Sequence, residues 1–349
     1  MIRTILIALD GSKLAEQAIP IVSAVAARTG ADVVLATAIV PHDRWIDGPA
    51  IPSPEQEEQG AARAYLRPLA QQLSERGIES RVRVEAGRPH IVIGTIADEE
   101  GANLIAMTTH GRSGFARWVI GSVADKVLRT SRTPLLLVHM QEEGQIPEVQ
   151  LKRILVPLDG SPLAESALPL VEDLAMSLEA SLLLQSVVVP TAALYAGTLL
   201  PSTPPVLTEI EAGVREYLDG VAKRLERKGA RVETNVAIGY AAETILDAAK
   251  QAGADLIALS THGRSGPERW ILGSVADAVV RHSDRPCLVI PARGARLVED
   301  DGEPQAAAAL LAGTTVVPPP ALTETPADKE PRVRPPEGRS HRPERSPGR

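Results

Sequence analysis

The residues most able to do chemistry lie in one block that occurs twice. Residues 108–125 read TTHGRSGFARWVIGSVAD and residues 260–277 read STHGRSGPERWILGSVAD, with 13 of 18 positions identical. Each block ends in Gly-Ser-Val-Ala-Asp, beginning at Gly121-Ser122-Val123 and at Gly273-Ser274-Val275. Serine at a cap with aspartate three residues later resembles a capping box, so each block predicts a helix start. A helix start presents unpaired N–H groups and a partial positive charge, which is an anion site. A glycine before the serine lets backbone approach a ligand closely. Upstream, Gly111 and Gly114 flank Arg112 and Ser113, and Gly263 and Gly266 flank Arg264 and Ser265. These add amides and a guanidinium suited to a polyphosphate. The same residues carry a plainer reading. Capping alone accounts for serine and aspartate, Asp125 repels phosphate unless a cation intervenes, and glycines after strands are turn residues.

Other candidates stay divided between two roles. His110 and His262 stand alone in their loops, with no second ligand nearby, and read as oriented loop histidines rather than metal ligands or general bases. Trp118 and Trp270 either cover the core edge or stack on a base, and Arg117 and Arg269 are either solvated or ligand contacts. Asp10 and Asp159 are either turn aspartates or hydrogen-bond partners of a ribose. Sequences typical of P-loops, dinucleotide fingerprints, zincins and nucleophile elbows do not occur, and no Cys/His set has zinc spacing, so no metal ligands and no catalytic residues are assigned. Cys287, in the apolar run CLVI, reads as a buried structural thiol.

The elements that position these residues form a duplication. RTILIALDGSKLAEQAIP (3–20) matches RILVPLDGSPLAESALP (153–169) at an offset of 149, whereas the glycine-rich blocks match at 152. The three extra residues of copy 2 fall after its second strand and before Tyr217, the counterpart of Tyr65. In copy 1, residues 4–9, 32–39, 80–85, 104–107 and 135–139 read as strands, several of them continuous apolar runs as strands buried on both faces should be. Leu14, Ala18, Ile21, Val22 and Val25 recur at helical spacing, as do Leu163, Ala167, Leu170, Val171 and Leu174. Ser12 and Ser161 are expected N-caps, and Pro162 suits a first helical position. Pro20 and Pro169 fall inside the stripe and are expected to kink it. The strand–helix alternation implies a doubly wound, Rossmann-like parallel sheet of five strands per copy, with ligands outside the carboxyl ends of the strands.

Composition narrows the function classes. Aromatics are 2% of residues and the net charge is −7, which argue against a nucleic-acid surface. The opening MIRTILIALD is too short for a signal region and no apolar run reaches the length of a membrane span, so the chain reads as cytoplasmic. Residues 1–146 and 151–294 are taken as the two domains. Residues 296–349, rich in Pro, Glu and Arg, are expected to be a disordered tail.

These residues resemble the universal stress protein (UspA-like) family in its tandem two-domain form. Its ATP-binding members carry G-x-x-G, nine residues, then G-[ST]. Here Gly111, residues 112–120 and Gly121-Ser122 match, as do Gly263, residues 264–272 and Gly273-Ser274. Thr108 and Ser260 replace the first glycine. The resemblance, over about residues 1–294, implies an adenine nucleotide in each copy, ATP with Mg2+. Asp10 would lie near the ribose, the backbone around Ile39 near the adenine, and the phosphates on Gly111, Gly121 and Ser122, with Ala8, Leu9, Ser12, Met107, Thr108, His110, Arg112 and Val123 completing the binding set. Copy 2 would use Pro157, Leu158, Asp159, Ser161 and Val188, with Leu259, Ser260, His262, Gly263, Arg264, Gly273, Ser274 and Val275. It also implies that 135–139 and 288–290 pair within the chain as a pseudo-dimer; a homodimer is a further arrangement. The expected function is a nucleotide-occupied regulatory or stress-response module. The alternatives are a slow ATPase or ATP-using transferase, and a nucleotide-free scaffold.

Overall fold

The computed structural model describes residues 1–40, 54–109, 120–139, 150–189, 204–261 and 272–292. Copy 1 contributes strands β1 (Thr4–Ala8), β2 (Asp32–Ile39), β3 (Ser80–Ala86), β4 (Leu104–Thr108) and β5 (Leu135–Val138). Copy 2 contributes β6 (Arg153–Pro157), β7 (Ser181–Val188), β8 (Arg231–Ile238), β9 (Leu256–Ser260) and β10 (Cys287–Ile290). Spatial order is β3-β2-β1-β4-β5-β10-β9-β6-β7-β8. Within each copy every pairing is parallel, and β5 meets β10 antiparallel with Leu136 opposite Leu288. The expected five-stranded sheets are therefore the two halves of one ten-stranded sheet, and the seam hides two edges that would otherwise stand unpaired.

Apolar runs in β1, β4 and β5 follow from burial on both faces, since strand side chains alternate between them. One face buries Ile5, Ile7, Val33 and Leu35 beneath α1 (Ala18–Thr29) and α2 (Pro54–Glu75), and its copy 2 counterpart lies beneath α6 (Leu168–Leu178) and α7 (Pro204–Glu226). The other buries Leu6, Val34, Ile105 and Leu137 beneath α3 (Pro89–Glu99) and α4 (Ser122–Thr130), continuing under α8 (Ala241–Gln251) and α9 (Ser274–His282). Both apolar layers contain residues of both copies, so each core runs unbroken across the seam. Cys287 lies fully buried in β10, and desolvation pushes its thiol up to about 12.

The proline-bearing stripe resolves into two helical pieces in each copy. A 3-10 turn at Ala15–Gln17 precedes α1, and α5 (Pro162–Glu165) precedes α6. Pro20 and Pro169 each sit in the first turn of the second piece, where an amide has no intrahelical partner to lose. The expected kink is thus a break between two helices. Strand β4 gains Thr108, paired with Val138, and β5 ends there. His139 leaves the sheet and donates from Nε2 to the Val280 carbonyl in α9, 2.7 Å away. The offset between copies is still 149 at the ends of β2 and β7 and 152 in the register of β3 and β8. Residues 296–349 lie outside the described residues.

Candidate functional site

The order in which successive parallel strands are laid down reverses between β1 and β4, and between β6 and β9, which are the topological switch points where open α/β sheets place ligands. Register brings the candidate residues of copy 1 to one rim. Ile7 lies opposite Ala106 and Ala8 opposite Ala36, so Ala8–Leu9–Asp10 leave β1 beside Met107 and Thr108 on β4, with Ile39 three residues further along β2. In copy 2, Pro157 pairs with Gln185 and Leu155 with Ile257, which sets Leu158 and Asp159 beside Leu259, Ser260 and Val188 in the same way. Ile39 and Val188 also accept from Gly87 and Gly239 at 2.7 and 3.1 Å, which pins the ends of β2 and β7 to β3 and β8.

After the first strand of each copy comes a turn built identically. Asp10 Oδ1 accepts from the Ser12 amide at 3.0 Å and its hydroxyl at 2.6 Å, and Asp159 repeats both bonds to Ser161 at 3.0 and 2.6 Å. Gly11 and Gly160 adopt φ of 85° and 80°, a left-handed backbone that glycine takes without steric cost. The serine oxygens then accept from Ala15 and Ala164 amides at 3.1 Å. Ser161 is the N-cap of a regular helical turn, as expected; in copy 1 the residue before the 3-10 turn is Leu14, so Ser12 is not its N-cap and instead accepts the Ala15 amide from two residues further upstream.

The glycine-rich block behaves differently, and here the expected capping box is overturned. The residues preceding α4 and α9 are Gly121 and Gly273; Ser122 and Ser274 are already the first helical residues, with exposed side chains. A glycine cap supplies no side-chain oxygen, so the first amides of these helices lack the partner that Ser12 and Ser161 provide elsewhere. Gly121 has φ −57° and Gly273 φ −61°, ordinary values that any residue adopts. Backbone conformation therefore does not call for glycine at either position. The amides of Gly121 and Gly273 donate to the Thr109 and Thr261 carbonyls at 2.6 and 2.8 Å, clipping each helix start to the end of the preceding strand.

Asp125 and Asp277, expected to act in capping, instead face the seam. Asp125 accepts from Arg129 at 3.0 Å and from Arg281 of the other copy at 3.2 Å. Asp277 accepts from Arg281 at 2.7 Å and lies 3.6 Å from Arg129. The hydrogen bond from Arg129 holds Asp125 below the usual carboxylate range, against the effect of its partial burial, and Arg281 acts in the same direction. The repulsion expected between Asp125 and an anion is thus countered by arginines of both copies. The i,i+4 spacing of Asp and Arg is legible in the sequence; that the pairs cross between copies is not, because it depends on how α4 and α9 meet.

His110, Gly111, Arg112, Ser113, Gly114, Arg117 and Trp118 lie outside the described residues, as do His262, Gly263, Arg264, Ser265, Gly266, Arg269 and Trp270. Val123 is half-buried and Val275 exposed on the first turns of α4 and α9. Thr108 and Ser260, at the first glycine position of the motif, are buried strand residues. Among the described residues no three His, Cys, Asp or Glu side chains converge as metal donors. No helix of the described residues is long and apolar enough to cross a membrane.

Comparison with known proteins agrees with this architecture. The model of the universal stress protein family matches residues 1–139 and again 150–291. Universal stress proteins of Mycobacterium bovis and Mycobacterium tuberculosis are 28% identical over 195 residues, 54% of this chain. The chain spans 61% of the length of those relatives. A universal stress protein of Methanocaldococcus jannaschii is 30% identical over 141 residues, 40% of this chain and 81% of that protein. The crystal structure of a universal stress protein from Archaeoglobus fulgidus shares the fold, with a TM-score of 0.61 at 22% identity, covering 83% of this chain and 97% of that one.

Proposed function

The chain belongs to the universal stress protein family, and from that premise we propose that each copy binds an adenine nucleotide, ATP by preference, as a regulatory module with little or no turnover. The observation that carries this reading is the pair Gly121 and Gly273. Their backbone angles suit any residue, yet both copies use glycine, which leaves uncapped amides that an anion can approach without meeting a Cβ. The phosphates would lie on Gly121, Ser122 and Val123, with Gly111 and Arg112 of the motif contributing to the same site. Asp10 would face the ribose and the backbone around Ile39 the adenine. Copy 2 would use Gly273, Ser274, Val275, Gly263, Arg264, Asp159 and Val188. A divalent ion such as Mg2+ would be held chiefly by the phosphates, which supply hard oxygen ligands. This reading assigns the chain a response to occupancy rather than a reaction. It also takes the protein to be cytoplasmic.

Nucleotide released by denaturing freshly purified protein tests the proposal. Near two adenine nucleotides per chain are expected, and near none from Gly121→Val with Gly273→Val at an unchanged melting temperature. Phosphate release should stay below about one per minute, far under ordinary enzyme turnover. Empty wild-type protein whose melting point ATP does not raise would end the nucleotide reading. Fast release abolished by the glycine changes would favour the ATPase alternative.

A further inference from the structure

We propose that Asp125, Arg129, Asp277 and Arg281 couple the two nucleotide sites, so that filling one weakens binding at the other. The inference rests on the nucleotide reading above and concerns how the two sites are regulated. Helices α4 and α9 each start at a candidate phosphate site and each carry, one and two turns on, an aspartate and an arginine. The four side chains form one cluster across the seam. Arg281 reaches Asp277 at 2.7 Å and Asp125 at 3.2 Å, while Arg129 reaches Asp125 at 3.0 Å and Asp277 at 3.6 Å. Each arginine is therefore shared between a carboxylate of its own copy and one of the other. The cluster is neutral as a whole, two charges against two.

The direction of coupling follows from that sharing. Asp125 lies three residues beyond Ser122, about 4.5 Å along the helix axis, well inside the ~8 Å screening length of physiological salt. A polyphosphate arriving at Gly121 and Ser122 brings several negative charges to that helix start. It draws the shared guanidinium of Arg281 toward Asp125 and leaves Asp277 less compensated. A second polyphosphate at Gly273 and Ser274 then meets a more negative helix start. The arginines act as positioning residues, each serving the site of the other copy as well as its own. Coupling free energies between sites commonly correspond to 5–150-fold, and about 10-fold weaker binding of the second nucleotide is expected.

Calorimetric titration of Mg·ATP into the nucleotide-stripped full chain tests this. Wild type should show two affinities about 10-fold apart at 0.05 M KCl, converging within about 2-fold at 0.5 M as salt screens the cluster. Two single-site variants, Gly121→Val and Gly273→Val, should each bind one nucleotide with the tighter affinity. One tight and one weak variant would mean that the copies simply differ, and would overturn the coupling. Asp125→Asn with Asp277→Asn should tighten both sites and bring them within about 2-fold of each other. A purely structural cluster predicts a lower melting temperature with the wild-type ratio retained, which would also overturn it. Two equal affinities in wild type at low salt would do the same. Absence of any binding in wild type would instead remove the nucleotide reading on which the coupling rests.

Discussion

The two copies agree at one end of their strands and diverge at the other. At the carboxyl ends, the Asp-Gly-Ser turns repeat bond for bond, and so do the glycine starts of α4 and α9. Away from that rim, copy 1 closes α1 with Gly30 at φ 69°, whereas copy 2 closes α6 with Glu179 at φ 56°. In copy 1, Ala36 lies opposite Arg83, whose guanidinium is bonded by Glu85, Glu99 and Glu100. In copy 2 the same places hold Gln185 and Asn235, which bond one another at 2.7 Å. Packing tolerates either solution as long as each buried polar atom finds a partner. The Asp-Gly-Ser turns and the glycine starts of α4 and α9 show no such latitude, although backbone angles do not demand Gly121 or Gly273.

The sharpest way to break the comparison is to make the rims unequal. Gly121→Val should reduce bound nucleotide from two per chain to one, with a loss of about 100-fold or more at the altered site, since several backbone donors no longer reach the anion. Gly273→Val should give the mirror result, and equilibrium titration reads both. Next in size, Asn235→Ala should cost about 1–3 kcal/mol by leaving the buried Gln185 oxygen without its donor, seen as a lower urea midpoint. Arg83→Ala should affect copy 1 through its acidic neighbours instead, and its loss should shrink in high salt.

Acid offers a milder probe, directed at the seam. The folded-state pKa of Asp125 is depressed by Arg129, so the stability it contributes is present above the unfolded value of about 3.9 and is lost as pH falls through the folded one. Melting followed from pH 6 down to pH 2 should show Asp125→Asn converging on wild type at the acid end. The smallest effect expected is a gain. Glu179→Gly relieves a left-handed non-glycine residue and gives up an exposed pair with Arg28, for a net of about 0.5–1 kcal/mol, or roughly 1–3 °C in melting temperature. A loss there would show that the Arg28 contact between α1 and α6 matters more than the backbone.

Much of the fold is legible in the sequence. Strand runs such as 32–39 announce themselves because burial on both faces leaves no polar alternation, and the internal repeat doubles every such signal. Ser161 could be assigned as a cap because Pro162 follows it. The cap of α4 lies one residue earlier than the spacing predicts, for a physical reason. Ser122 and Asp125 have capping-box spacing, but Asp125 finds arginines across the seam, and that partner lies 156 residues away in sequence. Spacing reports local competition for backbone groups and is blind to such partners. Likewise, the prolines at 20 and 169 read as kinks until the first turn of a second helix is seen around them.

The antiparallel meeting of β5 and β10 has a further consequence for how the protein behaves on dilution. Two separate subunits joined by four-residue strands would come apart as their concentration dropped. Here both strands belong to one polypeptide, so each meets its partner at an effective concentration that does not fall on dilution. The paired arrangement, and anything that depends on arginines reaching from one half to the other, therefore persists in a cell holding only a few copies of the molecule.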